Sequence, residues 1–378
     1  MKICKNISNI IMIIAFFLVL IVPPVYFEFV KESIPVDTSE NRKLAEKPVF
    51  SIEKVEEYAD NYESYYNDNL PFRSLIRNLW TKFNFYVLNE STTNQVLVGK
   101  NEGSKESTWL FYQENHDGNT IKEVQGIYSF TADETFQIED AIDKNTENLA
   151  KRNIELYYAF IPNKASLYKE KLPENVTIFD DETRVEKLIT YLKDKNTDNI
   201  IILKDSLEKA KENNQVYHKQ DTHWNDYGAF IGFKAITNEI LEKEELEKID
   251  FNADITFKDE ELVELDLIKM SGIKDVLKDT EAVVKYKEDI EFKGMVLQTE
   301  NEIAVTECEN APIKKTIMIV GDSFRKAMIP YFARTYSKVV FLHRCDYGSY
   351  MLDAYAPDII VCQFLERYVN TLPEFKLY

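Results

Sequence analysis

Asp221 and His223 stand one residue apart in the segment YHKQDTHWNDYGAF, Tyr217–Phe230, just ahead of Trp224 and a run with helical spacing. The chain has only four histidines, so one beside a carboxylate at the mouth of a helix asks for an account. In an extended loop, residues i and i+2 face the same side, so the Asp221 carboxylate can reach the His223 imidazole. Held that way, the ring keeps one tautomer and leaves its other nitrogen for a partner. A partner of the right type lies downstream in TIMIVGDSFRKAMI, Thr316–Ile329. Ser323 follows an apolar strand pattern and a glycine, and precedes a helical run. Open α/β sheets hold ligands at the carboxyl ends of their strands. Amides at a helix start there can hold an oxyanion, and Gly321 permits a tight turn and the close approach of a substrate. Ser323 as nucleophile, His223 as general base and Asp221 as orienting acid make a site for acyl transfer. Trp224 is placed to pack beneath it. The plainer readings are an N-cap at Asp322 or Ser323 and a histidine beside an acid by chance. His218 is expected to pack or face solvent, and His116 and His343 carry no pattern. No cysteine or histidine spacing fits a metal site, and no cofactor motif is present.

These residues need elements to position them. SIEKVEEYADNYESYYNDNL reads as an amphipathic helix ended by Pro71, and a second helical pattern runs from Phe72 to about Leu88. NQVLVGK and TWLFYQ read as two short strands around a Gly103 turn. Residues 131–152 form a helix. Strands and helices then alternate: a strand at 153–162, a helix at 181–195, a strand at 199–205, and a helix after 226 capped by Asp226. Residues 245–310 look like a β-rich insertion. Strands follow in TIMIVGDSF, KVVFLH and DIIVCQF, with a helix over RKAMIPYFARTY that Pro330 would kink. Such alternation predicts a parallel sheet with helices on both faces.

The amino end sets the compartment. Lys2 and Lys5 precede an apolar run from Ile7 to Val22, which extends to Phe29, and acidic residues begin only at Glu28. No small-residue cleavage site follows; Pro23 and Pro24 stand there instead. The pattern predicts an uncleaved single-pass anchor with its tip in the cytoplasm and the remainder outside the cell. The expected organisation is a cytoplasmic tip and anchor over 1–29, a polar stalk over 30–60, and an extracellular domain over 61–378. Net charge is −19, from 65 acidic and 46 basic residues, which repels phosphate backbones and argues against a nucleic-acid partner. Of the exported cysteines, Cys362 lies in a buried-strand pattern and reads as an inert core thiol. Whether Cys308 and Cys345 pair is left open by the sequence.

Taken together, DTHW and the downstream GDSF resemble the SGNH-hydrolase-like proteins of the alginate O-acetyltransferase type, including the bacterial DHHW proteins. ENRKLAEKPVF, NDNLPFR, VLVGK with WLFY, FIPNKASLY and PDIIVCQFLERYV resemble further family pieces in the same order. The resemblance implies an SGNH-like, flavodoxin-like fold with a permuted motif order: the chain runs Asp, His, Ser. It implies a membrane-anchored enzyme that O-acetylates an extracellular polysaccharide through an acetyl-serine. A membrane-bound O-acyltransferase would be the acetyl donor. By residue match, Ser323 is the nucleophile, His223 the base and Asp221 its acid. Thr222 stands where the name-giving pattern has a first histidine. The usual Gly-Asn oxyanion block is not apparent; Arg344, just past KVVFLH, is the candidate to hold an oxyanion or substrate, against a plain solvated charge. Glu366 and Arg367 would form a structural ion pair. Rival readings are an acetylesterase of the same fold and a non-catalytic polysaccharide-binding scaffold of the cell envelope.

Overall fold

The structure is a computed structural model that describes residues 2–30, 44–69, 73–251, 255–262, 265–273, 279–286, 293 and 303–378. The chain divides into two units, Met1–Val87 and Leu88–Tyr378. Part of the expected stalk, residues 31–43, and part of the insertion lie outside the described residues.

In the first unit, Lys2–Val30 is one continuous helix, and its described apolar side chains from Ile10 to Phe29 are exposed. Among the described residues, no helix is long and apolar enough to cross a membrane. Helices follow at Val55–Asn69 and Arg73–Phe83. The first of them buries none of its side chains. Asp68 ties it to the segment before it by accepting the Ala45 amide at 2.8 Å. The second passes without a break into a π-helical turn at Asn84–Leu88, so the helical run reaches Leu88 as its pattern predicts.

The second unit opens with the antiparallel pair β1 (Val96–Glu102) and β2 (Ser104–Tyr112). Gly103 makes its turn at φ 87°, a conformation that favours glycine. The central sheet contains β3 (Glu155–Ile161), β4 (Ile200–Ile202), β7 (Ala304–Glu307), β8 (Ile313–Gly321), β9 (Tyr336–His343) and β10 (Ile359–Leu365). Its order is β4-β3-β10-β8-β9-β7. A further antiparallel pair, β5 (Ile255–Leu262) and β6 (Asp279–Tyr286), belongs to the insertion.

The fold is the expected α/β layering, but the sheet is mixed rather than all parallel. Five strands run parallel, and β7 pairs antiparallel with β9. The connection from Glu307 to Ile313 is too short for the crossover a parallel partner needs, so the chain has to reverse. Side chains alternate across the sheet as strand geometry requires. Tyr157, Ala159, Ile161, Ile317 and Ile319 enter one core cluster. Leu156, Tyr158, Phe160, Met318 and Val320 enter the other. The Asp226–Lys243 helix supplies Phe230, Phe233, Ile236 and Ile240 to the first cluster, and Ala132–Ala150 supplies Ile138, Ile142 and Leu149 to the second.

Three local expectations are corrected. The strand expected over 199–205 stops at Ile202, and a helix starts at Lys204. Asn225, not Asp226, caps the following helix through Gly228 N–H at 2.8 Å. Asp226 instead accepts from Val284 N–H at 2.7 Å and Tyr331 Oη at 2.6 Å. Pro330 kinks nothing: a tight 3-10 turn covers Ser323–Met328, and the α-helix Ile329–Thr335 begins with the proline in its first turn, where a missing N–H costs nothing.

Candidate active site

The Asp-His segment is the tip of a narrow loop. Tyr217 and Trp224 pair as an antiparallel bridge, and His218 N–H donates to His223 O at 3.2 Å. Folding the chain back so sharply turns the Asp221 carboxylate onto its own neighbour two residues on. Asp221 Oδ1 accepts the His223 amide at 3.0 Å and faces His223 Nδ1 at 2.7 Å. The other ring nitrogen, Nε2, lies 2.7 Å from Ser323 Oγ, across 100 residues of sequence. The structure thus assembles Asp221, His223 and Ser323 as a linear hydrogen-bonded chain, the arrangement that activates a serine for attack on a carbonyl.

The loop is clamped from several sides. Lys164, just beyond β3, buries its ammonium among the carbonyls of His218, Lys219 and Asp221 at 3.1, 3.0 and 2.7 Å. The β2 strand takes Lys219 O on Leu110 N–H at 2.9 Å, and Gln220 Nε2 donates to Glu106 O at 2.6 Å. Trp224 is 1% exposed and donates to Phe324 O at 3.0 Å, and the Phe324 ring lies 4.8 Å from the imidazole. The following helix comes close enough because Gly228 and Gly232 face the loop. A Cβ at Gly228 would sit 2.0 Å from Val216 O, and one at Gly232 2.7 Å from the Trp224 ring.

A second carboxylate backs the loop. Asp266 begins the short helix Asp266–Ser271 inside the insertion. Its Oδ1 accepts the Thr222 amide at 2.8 Å, its Oδ2 takes the Thr222 hydroxyl, and its own amide donates to Asp221 Oδ2 at 2.8 Å. Asp266 Oδ2 is 3.8 Å from His223 Nδ1. The two acids are driven apart in character. Burial would raise Asp221, but His223 and the amides of Asp266 and His223 outweigh it and hold that carboxyl well below the usual range. Burial, then the charge of Asp221, raises Asp266. Asp221, His223 and Asp266 also form a group whose ligand atoms lie within 4.8 Å of one another. A cation there would compete for the nitrogen and oxygens that already orient the triad.

The residues around Ser323 differ in part from expectation. Asp322 is the N-cap, accepting Phe324 N–H at 3.0 Å, and it also takes Gln363 Nε2 at 2.7 Å and Leu365 N–H at 3.1 Å. The Phe324 and Arg325 amides are therefore spent on Asp322 and do not point at an oxyanion. Gly321 is needed for a protein contact: a Cβ there would lie 2.4 Å from Gln363 Oε1. Arg344 is turned onto Thr371 Oγ1 at 2.6 Å and stacked 4.4 Å from the Tyr368 ring. Glu366 and Arg367 do not pair with each other. Glu366 takes Asn163 N–H at 2.8 Å and Ser166 Oγ at 2.6 Å, while Arg367 covers the Tyr112 and Tyr368 rings. His218 is half-buried. His343 caps the turn after β9 through Cys345 N–H at 3.3 Å. Cys308, Cys345 and Cys362 are free thiols, so no Cys308–Cys345 bond forms. Burial pushes the Cys362 thiol up, as expected of a core residue.

Three residues at the site were not singled out in the sequence: Lys164, Asp266 and Gln363. Gln363 left a signal, being the polar break in DIIVCQFL, and so did Lys164 after Pro162 and Asn163. Asp266 left none, since nothing in an acidic insertion marks one carboxylate out.

Comparison with known proteins gives this arrangement a context. The family model described as an SGNH hydrolase-like domain, acetyltransferase AlgX, matches residues 103–328. A probable alginate O-acetylase AlgJ of Azotobacter vinelandii is 28% identical over 170 residues, 45% of this chain and 39% of the relative. The Pseudomonas aeruginosa protein of that name is 26% identical over 187 residues, 49% of this chain and 42% of the relative. The matched region is thus less than half the length of these relatives. Among solved structures, Bacillus cereus PatB1 superposes with a TM-score of 0.54 at 17% identity, over 74% of this chain and 100% of that one. A DHHW family protein from Eubacterium siraeum gives 0.51 at 14% identity, over 76% and 97%. At such identities the structural likeness speaks for the fold alone.

Proposed function

Since this chain belongs to the family of SGNH hydrolase-like domains of the acetyltransferase AlgX type, we propose that it is an O-acetyltransferase carrying an acetyl group on Ser323 to a hydroxyl of an extracellular polysaccharide. The observation that carries this reading is the continuous chain Asp221–His223–Ser323, with both links at 2.7 Å. His223 Nε2 takes the Ser323 proton as Oγ attacks the acetyl carbonyl of the donor, and returns it to the leaving group. The acetyl-serine is then attacked by a sugar hydroxyl, with His223 again as base. Asp221 keeps the imidazole in the tautomer that presents Nε2 and stabilises the imidazolium. The oxyanion is met by the Ser323 amide at the start of its turn. The His223 side chain is 32% exposed, which suits a bulky acceptor approaching from solvent. Water in place of the sugar would make the same site an esterase.

The alginate acetylase names of the relatives support a polysaccharide acceptor for this chain too. In the same reading, the apolar Lys2–Val30 helix anchors the enzyme with its catalytic unit outside the cell, where a membrane-bound O-acyltransferase delivers the acetyl group.

The test uses the whole chain, a chromogenic acetyl ester and mass spectrometry of the intact protein. An acetyl adduct on Ser323, absent in Ser323→Ala together with a rate loss on the order of 10^6-fold, is the expected result. Addition of glycan should then accelerate turnover and move the acetyl group onto the glycan; turnover that glycan leaves unchanged, with free acetate as the product, marks the esterase. No adduct and equal background rates for both proteins would leave a scaffold without chemistry.

A further inference from the structure

The Arg73–Phe83 helix wears its faces inverted. Leu75, Ile76, Leu79, Trp80 and Phe83 recur at i, i+1, i+4, i+5 and i+8, one continuous apolar face. In a globular unit that face turns inward. Here these five side chains are 55, 56, 60, 56 and 46% exposed, while the helix's single buried residue is the polar Thr81. The sequence RSLIRNLWTKF carries Arg73, Arg77 and Lys82 and no acidic residue, in a chain whose net charge is −19. On a helical projection, the arginines border one edge of the apolar face and Lys82 the other.

We propose that this helix lies in the headgroup region of an anionic lipid bilayer, apolar face down, as a second membrane contact separate from the N-terminal helix. Three features favour lipid over a protein occupant. Basic side chains flanking an apolar face can reach headgroup phosphates on both sides while the face enters the acyl boundary. Trp80 sits within that face, the residue type concentrated at membrane interfaces. The helix also belongs to the same unit, Met1–Val87, as the apolar Lys2–Val30 helix, which the function proposed above places at a membrane. The contact does not require Lys2–Val30 to span, and it would hold the start of the catalytic unit at the surface.

The tryptophans make the test selective. The chain has three; Trp109 and Trp224 are each 1% exposed, against 56% for Trp80. The full-length protein is reconstituted with phosphatidylglycerol vesicles containing lipids brominated near the headgroup end of the acyl chain. The expected result is co-flotation with a blue-shifted Trp80 emission that the bromines quench. Trp80→Phe should abolish the quenching. Arg77→Glu with Lys82→Glu should reduce it, each charge being worth roughly five-fold in partition, as should replacing the anionic lipid by phosphatidylcholine. Co-flotation with unquenched Trp80 overturns the proposal, leaves the N-terminal anchor standing, and points to a protein partner on this face. Failure to float at all sinks both.

Discussion

Asp266 stands at the triad without being part of it. Thr222, the residue between the two triad members, gives both its amide and its hydroxyl to this carboxylate, so Asp266 is a positioning residue for the loop tip. Asp266→Asn keeps an acceptor oxygen and removes the charge 3.8 Å from His223 Nδ1. We expect kcat to fall about tenfold, the worth of one hydrogen bond to a charged group. The sign of its pH dependence follows from the raised Asp266 pKa. The penalty is full at pH where Asp266 is ionised and shrinks as pH falls through that raised value, because the wild-type carboxyl is then neutral as well. A kcat profile of both proteins reads this directly; a penalty constant with pH contradicts the role of the charge.

At the scale of elements, the placement of Ser323, the proposed nucleophile, depends on how closely β8 and β10 end together. Gln363 on β10 donates to Asp322 on the turn after β8 and lies against the hydrogen side of Gly321. A methyl group there meets Gln363 Oε1 at 2.4 Å, so either the glutamine leaves Asp322 or the strands part. Gly321→Ala should cost about 1–3 kcal/mol of stability and lower the rate, since the turn that aims Ser323 shifts with Asp322. Urea denaturation and ester turnover on the same preparation test both; full activity with unchanged stability would show that the contact yields freely. The serine, its cap and its lock come from separate elements, and only the serine and cap were legible in one stretch of sequence.

Across the second unit, buried acids set the response to pH. Glu123 is 1% exposed and 2.8 Å from the Arg184 guanidinium. Burial and the neighbouring Glu366 carboxyl outweigh that cation and push Glu123 up to about 8. Glu366 is raised as well, chiefly by its own burial. A carboxyl whose folded pKa lies above its unfolded value stabilises fully below the unfolded value, and that contribution is lost as pH rises through the folded one. Stability should therefore decline from the ordinary carboxylate range up to about pH 8, by on the order of a few kcal/mol. Glu123→Gln should flatten the decline by one proton's worth, whatever its effect at any single pH. Melting temperature against pH for the two proteins is the measurement; parallel curves would assign the proton elsewhere.

The sequence by itself determined the α/β alternation and the family, and it named the three residues, Asp221, His223 and Ser323, that the fold brings into one hydrogen-bonded chain. Strand and helix periodicities are written in consecutive residues, and an acid two positions from a histidine needs only a sharp loop to meet it. The sheet's order, its antiparallel edge and the 2.7 Å approach of Ser323 to a histidine 100 residues earlier were decided by packing. So were the clamp of Lys164 on the loop, the lock of Gln363 and the arrival of Asp266. Each joins residues far apart in the chain, where the partner is chosen by the space and unpaired polar groups that the assembled sheet leaves, and no local pattern encodes that choice. Arg344 shows the converse. Its position after β9 placed it beside the strand that leads to Ser323, but a nearby threonine and tyrosine claimed its side chain.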